Sequence, residues 1–207
     1  DSDLRGQSYD EVTAGYERVV GRSLKLGITG IYRRLGWVIE DGVLASTGVF
    51  AAGNPHRGIL ADMPRPTRVY RALGLTLERM GPGPLAVVAS YILSQNHGNY
   101  PGTYATDLPE ASGAPNGGGQ FDAPDAWPNS TGLLPNDRTH IAKLVGSYRV
   151  PVGLTLGASF VVASGTPLNE YGTSMFGQPY WTFVRQRGAA GRTPWTWNLD
   201  LRFLYDV

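Results

Sequence analysis

The chain has 207 residues, of which 17% are charged, and its formal net charge is +1. This length suits one domain, and Lys and Arg scattered along the chain give no electrostatic basis for binding nucleic acid. The absence of cysteine excludes a disulfide framework and thiolate metal sites. No apolar run reaches the roughly 18 residues that a membrane-spanning helix requires.

Seven segments alternate between apolar and polar residues, with the period of two that predicts half-buried β-strands. In chain order they are EVTAGYERV (11–19), LKLGITGIYRRL (24–35), RVYRALGLTLER (68–79), LAVVASYILS (85–94), HIAKLVGSYRV (140–150), LTLGASFVVA (154–163) and PWTWNLDLRFLYDV (194–207). This alternation is the dominant pattern of the sequence, and it predicts an all-β chain.

The connections between these segments alternate in length. Short turns near Gly21, Gly81 and Pro151 join strands one to two, three to four and five to six. Long loops rich in Gly, Pro, Asn and Asp, at about 40–67, 96–137 and 165–193, make the other connections. Short turns at one end and long loops at the other are typical of outer-membrane β-barrels. We therefore predict about seven strands of an antiparallel, up-and-down transmembrane β-barrel.

The aromatic residues that share the apolar positions fall near the strand ends, as expected at the two membrane interfaces. We predict interface positions for Tyr16, Tyr148, Phe203 and Tyr205 at the short-turn end, and for Tyr32, Tyr91, Trp195 and Trp197 at the long-loop end. The opposite faces carry charges of both signs, which argues against a strongly ion-selective pore. These predicted lumen-facing residues are Glu11, Glu17, Lys25, Arg33, Glu78, Lys143, Arg149, Asp200 and Arg202.

Four segments together carry a resemblance to a known family, namely GYERVVGRSLKLGITGIYRR, VYRALGLTLER, LPNDRTHIAKLVGSYRVPVGLTLGASFVVASGTPLN and AAGRTPW. They resemble the later barrel strands of TonB-dependent outer-membrane receptors, and most closely the Oar-like group with a carboxypeptidase-regulatory-like domain. The resemblance implies a 22-stranded barrel in a bacterial outer membrane that imports a large or scarce substrate. Its implied partners are outer-membrane lipid, the remaining strands, an N-terminal plug domain, and TonB acting through a TonB box.

The sequence contains no recognisable plug, TonB box or signal peptide, begins with Asp1 and ends on Asp206 and Val207. We therefore expect it to be a piece of a longer receptor.

An isolated seven-strand segment would expose two unpaired strand edges, and each unsatisfied backbone group in lipid costs several kcal/mol. We expect the isolated segment not to insert stably into a membrane. Heat-modifiable migration on a gel after refolding in detergent would contradict this expectation.

The long loops carry the candidates for ligand recognition. Exposed aromatic side chains stack on sugars or peptides, and we predict such a role for Trp127, Trp181, Tyr100 and Tyr104. The alternative for these residues is that they pack the loops against one another.

Other chemistry is not indicated by the sequence. The histidines His56, His97 and His140 lack metal-ligand spacing, and no nucleophile, base and orienting group occur within a recognisable motif. We predict no cofactor, no metal and no enzyme activity. Two other functions stay open, namely a soluble β-sandwich that binds glycans and an outer-membrane structural or adhesion barrel without active transport.

Overall fold

The computed structural model describes residues 3–44, 47–102, 124–173 and 181–205. Its strands are β1 (Ser8–Val20), β2 (Leu24–Trp37), β3 (Glu40–Val43), β4 (Phe50–Gly53), β5 (Arg68–Arg79), β6 (Leu85–Gly98), β7 (Gly132–Leu133), β8 (His140–Val150), β9 (Leu154–Ala163), β10 (Tyr171–Thr173), β11 (Trp181–Phe183) and β12 (Thr196–Tyr205). Two short 3-10 helices, Gly58–Leu60 and Pro124–Ala126, complete the structure. Among the described residues, no helix has the length and apolar character needed to cross a membrane.

The seven long strands form one antiparallel sheet in the order β1-β2-β5-β6-β8-β9-β12. The predicted fold class is confirmed, because these strands coincide with the seven alternating segments and follow one another as a meander. Strand β7 adds to the end of β6, while β3 with β4 and β10 with β11 form separate hairpins within the long connections. In the part of the chain that the structure describes, the sheet is open, and β1 and β12 each have one unpaired edge.

The pairing registers place the predicted apolar positions of all seven strands on one face of the sheet. On β1 and β2, for example, Val12 lies opposite Tyr32 and Tyr16 opposite Ile28. We call this side the apolar face and the other side the polar face. A shift of one residue in any register would exchange the two sets of side chains. The fold therefore depends on registers that align apolar positions with apolar positions in all six strand pairs.

One register row crosses the whole sheet from Tyr16 on β1 to Trp197 on β12, through Ile28, Leu75, Tyr91, Ala142 and Val162. Its ends are predicted at opposite membrane interfaces, which requires that the strands tilt. Six interstrand steps of about 4.8 Å at a tilt of about 40° separate the ends by about 18 Å in depth. This is most of the roughly 25 Å height of the apolar band of such barrels.

The apolar face is not covered by other parts of the described chain. Phe203 is 71% exposed, and Leu144, at the centre of β8, is 47% exposed. Burial of apolar side chains away from water cannot stabilise this sheet, because no other described part of the chain packs against its apolar face. The buried side chains lie mainly in the long connections, for example Leu60, Met63 and Leu134.

The effect of a charge at the centre of β8 tests the assignment of the two faces. Leu144 is on the apolar face and its neighbour Val145, 52% exposed, is on the polar face. In the intact gene product reconstituted in lipid vesicles, we expect Leu144→Arg to lower the free energy of unfolding by about 2–4 kcal/mol, the cost of a lipid-facing Arg at mid-membrane. Val145→Arg is the matched control and should cost less than about 1 kcal/mol. Equal losses in denaturant titrations of the two variants would contradict the assignment.

Candidate functional site

The long connections all leave the same end of the sheet, and their described residues form a rim around that end. The rim comprises 38–44, 47–67, 99–102, 124–139, 164–173 and 181–195. The tight turns lie at the opposite end, where Gly21 and Gly153 adopt positive φ angles of 65° and 82°. The described residues of the long connections are therefore concentrated at one end of the sheet.

Asp137 joins two of the rim connections. Its side chain is 1% exposed, one carboxylate oxygen accepts the Asn96 N–H at 2.6 Å, and the other lies 2.5 Å from the Arg192 guanidinium. Arg192 also donates to the backbone carbonyls of Asp137 and Gly165. A buried carboxylate is costly unless it is paired, and here each carboxylate oxygen has a hydrogen-bond donor. We call these residues the rim clasp, because they connect the ends of β6 and β9 to the chain before β12.

Neighbouring contacts reinforce the rim clasp. Arg138 donates to the Ser164 carbonyl at 2.6 Å, and the Ser164 hydroxyl accepts the His140 N–H at 3.0 Å. At Gly165 the backbone comes so close to Thr193 that a Cβ atom would lie 1.6 Å from the Thr193 carbonyl oxygen. Only glycine fits there, so the rim clasp depends on this residue as much as on the ion pair.

The structure connects the segment that carries Trp127 to the hairpin that carries Trp181. The Asn129 side chain donates to the Phe183 carbonyl at 3.2 Å, and the Asn129 carbonyl accepts the Arg187 N–H at 2.8 Å. The guanidinium of Arg187 lies 4.6 Å from the centre of the Phe183 ring. Two recognition candidates that are 54 residues apart in sequence therefore belong to one assembly.

Both tryptophans are partly exposed. Trp181 packs edge-on against Tyr171, whose ring also contacts Phe183. Its indole N–H is buried and has no hydrogen-bond acceptor among the described residues. A buried donor without an acceptor costs about 1–3 kcal/mol, so this N–H is a candidate donor to a bound ligand.

Tyr100 does not meet the expectation of an exposed aromatic. It is 1% exposed and packs with Leu35 and Val38. Burial raises the pKa of its hydroxyl far above the ordinary value, and the nearby Glu40 carboxylate adds to the effect. Tyr100 therefore holds β6 against the β2–β3 segment, and we do not propose it for recognition. Tyr104 lies outside the described residues, and its role stays a prediction.

The nine charged residues predicted to face the lumen all lie on the polar face. Glu11 forms an ion pair with Arg33, and Glu17 lies 3.1 Å from Lys25. Glu78 is opposite Lys25 in the register of β2 and β5. Among the described residues, Lys143, Arg149 and Arg202 form no ion pair, and Asp200 accepts a hydrogen bond from the Asn198 side chain.

Three rings form a stack at the long-loop end of the apolar face. The Tyr91 hydroxyl lies 2.7 Å from His140 Nδ1, and the His140 ring stacks on Trp195 with centroids 5.8 Å apart. In the sequence, Tyr91 and Trp195 are separate interface candidates and His140 begins β8. The contact of Tyr91 with His140 follows from the β6–β8 register, which places Tyr91 beside Ala142 and Leu93 beside His140. The stack gives the phenol a hydrogen-bond partner on an otherwise apolar surface.

No metal centre forms within the part of the chain that the structure describes, where no three His, Asp or Glu side chains come together. His97 lies on the apolar face opposite Val69, whereas His56 belongs to the loop between β4 and the first 3-10 helix.

Comparison with a solved structure identifies the fold. The chain is similar to the crystal structure of the outer membrane transporter YddB from Escherichia coli, with a TM-score of 0.58 and 11% sequence identity. The match covers 98% of this chain and 26% of that chain. The fold is therefore that of a wall segment of an outer-membrane β-barrel.

Sequence comparison gives the particular relationship. The chain is 34% identical over 204 residues to the TonB-dependent transporter Oar of Myxococcus xanthus. The match covers 97% of this chain and 19% of that relative. The resemblance to TonB-dependent transporters of the Oar type is thus confirmed over nearly the whole of this chain, which spans about a fifth of that relative's length. No protein-family model matches the chain.

Loss of the Asp137 carboxylate should loosen the rim. We expect Asp137→Ala to lower the free energy of unfolding of the intact gene product by about 2 kcal/mol or more, because the Asn96 N–H loses its acceptor and the Arg192 guanidinium loses its carboxylate partner. The local loss should appear as faster amide hydrogen exchange at Asn96 and faster proteolysis of the rim. The control is Glu170→Ala, which removes the exposed pair with Arg185 and should cost at most about 1 kcal/mol. Unchanged exchange in Asp137→Ala would show that the rim clasp is not needed.

Proposed function

We propose that the chain forms part of the barrel wall and ligand-capturing loops of a TonB-dependent receptor that imports a substrate across the bacterial outer membrane. One observation supports this proposal above the others. In a chain related to a TonB-dependent transporter, the registers of six strand pairs separate an uncovered apolar face from a charged face. A wall between lipid and an aqueous lumen needs these two faces.

The apolar face contacts outer-membrane lipid in this proposal. Its eight aromatic residues form the two interface girdles, with Tyr16, Tyr148, Phe203 and Tyr205 toward the periplasm and Tyr32, Tyr91, Trp195 and Trp197 toward the outside. The basic residues of the same face support this orientation. Arg18 and Arg79 lie near the short turns, while Arg34 and Arg71 lie near the rim, where a lipid-facing charge costs little.

The polar face lines the lumen in this proposal. The ion pairs Glu11–Arg33 and Glu17–Lys25 bind adjacent strands to each other and leave little net charge on this part of the wall. The residues without an ion pair, Lys143, Arg149 and Arg202, are the candidates to contact a plug domain or water. TonB acts through the complete receptor and not through this segment.

The tryptophans Trp127 and Trp181 contribute to ligand capture. Their segments are bound to each other through Asn129, and the unpartnered indole N–H of Trp181 adds a directional donor. Flat aromatic faces with a nearby donor suit sugar rings and peptides. Trp127 and Trp181 are therefore the residues whose loss should weaken binding most.

The structure favours the barrel over a soluble β-sandwich, because a sandwich needs a second sheet packed on the apolar face. The two small hairpins are not hydrogen-bonded to the main sheet, and the described residues include no such second sheet.

The similar curated protein is a transporter, which is consistent with the prediction that the chain is not an enzyme. An adhesion or structural barrel is the alternative that the experiment below separates from active transport.

Binding of TonB separates active transport from a structural role. The intact gene product, purified from outer membranes in detergent, should bind the periplasmic domain of TonB, whereas a general porin should not. The strain lacking the gene should also lose growth on a nutrient too large for porins. A full-length product that neither binds TonB nor affects uptake would overturn the transport proposal.

The loop tryptophans are tested in the same strain. Relative to wild type, the Trp127→Ala, Trp181→Ala double variant should lower uptake at limiting substrate about tenfold, since two aromatic contacts contribute about 0.5–1.5 kcal/mol each. Trp195→Ala, which removes a tryptophan from the apolar face, is the control and should leave uptake unchanged. Equal uptake by both variants and wild type would exclude the two loop tryptophans from ligand capture.

A further inference from the structure

A second site lies at the rim on the far side from Trp127 and Trp181. The connection from β2 to β5 folds over the ends of β1 and β2 and encloses a polar cavity of about 320 Å³. We call it the rim pocket. Residues 34–38, 54–57 and 65–66, together with Asp10, line it.

The rim pocket concentrates positive charge. Three guanidinium groups, those of Arg34, Arg57 and Arg65, belong to its wall, and Asp10 is the one carboxylate there. Asp10 is paired with Arg34 at 3.0 Å. Neither Arg57 nor Arg65 forms an ion pair with any described residue. Two cations in the wall of a polar cavity therefore remain without an anion.

The position of one of these cations is defined by an aromatic ring. The Trp37 ring has the Arg57 guanidinium 4.4 Å from its centroid and the Arg5 guanidinium at 4.6 Å. An arginine stacked on an indole keeps its N–H groups available at the edge of the guanidinium plane. Stacking thus orders Arg57 without neutralising it, which is the arrangement that binds an incoming anion.

The backbone around the rim pocket is also fixed. Asn54 is 3% exposed; its side chain accepts the Arg5 N–H at 2.7 Å and donates to the carbonyls of Arg5 and Val38. His56 has a φ of 68°, an uncommon angle for a non-glycine residue, and its N–H donates to the Leu60 carbonyl at 2.9 Å. A non-glycine residue in this conformation is held by its surroundings. The segment that carries Arg57 is therefore pre-formed.

We propose that the rim pocket binds a phosphate group. Separate guanidinium groups match the several oxygen atoms of a tetrahedral phosphate, and arginine forms bidentate, charge-assisted hydrogen bonds with it. A soluble phosphorylated ligand and a phospholipid headgroup present the same chemistry at this rim. The proposal does not depend on transport, because equilibrium binding to the purified protein requires neither a plug nor TonB.

Inorganic pyrophosphate is the soluble probe. Calorimetric titration of the detergent-solubilised intact gene product at low ionic strength should show saturable binding that weakens with added salt. The Arg57→Gln, Arg65→Gln double variant should bind at least tenfold more weakly. The matched control is Arg22→Gln in the tight turn between β1 and β2, at the opposite end of the sheet, and it should bind like wild type.

The lipid source is tested in nanodiscs of phosphatidylglycerol and phosphatidylcholine. One outcome is that the wild type enriches phosphatidylglycerol around it and does not bind pyrophosphate, and that the double Gln variant loses this enrichment. That outcome would assign the rim pocket to a lipid headgroup. Pyrophosphate binding lost in the same variant would assign it to a soluble ligand.

A double Lys variant, Arg57→Lys with Arg65→Lys, keeps the positive charge at both positions. It is the control for a loss of binding that is caused by misfolding of the double Gln variant. It should retain part of the affinity, since the bidentate geometry is lost but the cations remain. Heat-modifiable mobility reports the fold of each variant. Absence of both pyrophosphate binding and phosphatidylglycerol enrichment in the wild type would overturn the proposal, as would unchanged binding in a folded double Gln variant.

Discussion

The structure depends first on the cross-strand register. In each of the six strand pairs, residues of the apolar face lie opposite one another, and so do residues of the polar face. The apolar positions of each strand therefore continue those of its neighbour. Backbone hydrogen bonds hold the strands together, while the uncovered apolar face has no protein to pack against. In the proposed function, lipid rather than a protein core solvates that face. This accounts for apolar residues such as Phe203 on β12, which are exposed within the described chain.

The rim follows from the same register. The meander places all three long connections at one end, where water is available and side chains with charge and hydrogen-bonding capacity are tolerated. Buried polar groups there are paired, as Asp137 is with Asn96 and Arg192. The rim clasp supports one side of the rim, near Trp127 and Trp181, and Asn54 supports the other, near the rim pocket. Two distinct recognition surfaces can therefore exist on one sheet.

Part of the candidate site could be predicted from the sequence and part could not. The alternation of apolar and polar residues predicts that Glu11 and Arg33 belong to the polar face. Their ion pair, however, depends on the β1–β2 register. Tyr100 has the type and loop position of a recognition residue, yet the fold packs it beside Leu35 and Val38. Arg57 and Arg65 had no local pattern to single them out, since their shared cavity is formed by chain segments that meet only after folding.

The strands, their two faces and the alternation of short and long connections could all be predicted from the amino-acid sequence, as could the relationship to TonB-dependent transporters. The first three are local properties, because a period of two or a turn residue is visible within about a dozen residues. Which side chains meet across strands and loops depends on the tertiary structure, as in the stack of Tyr91 with His140 and Trp195. Such contacts join residues tens of positions apart, and no local pattern specifies their register or the path of the connecting loops.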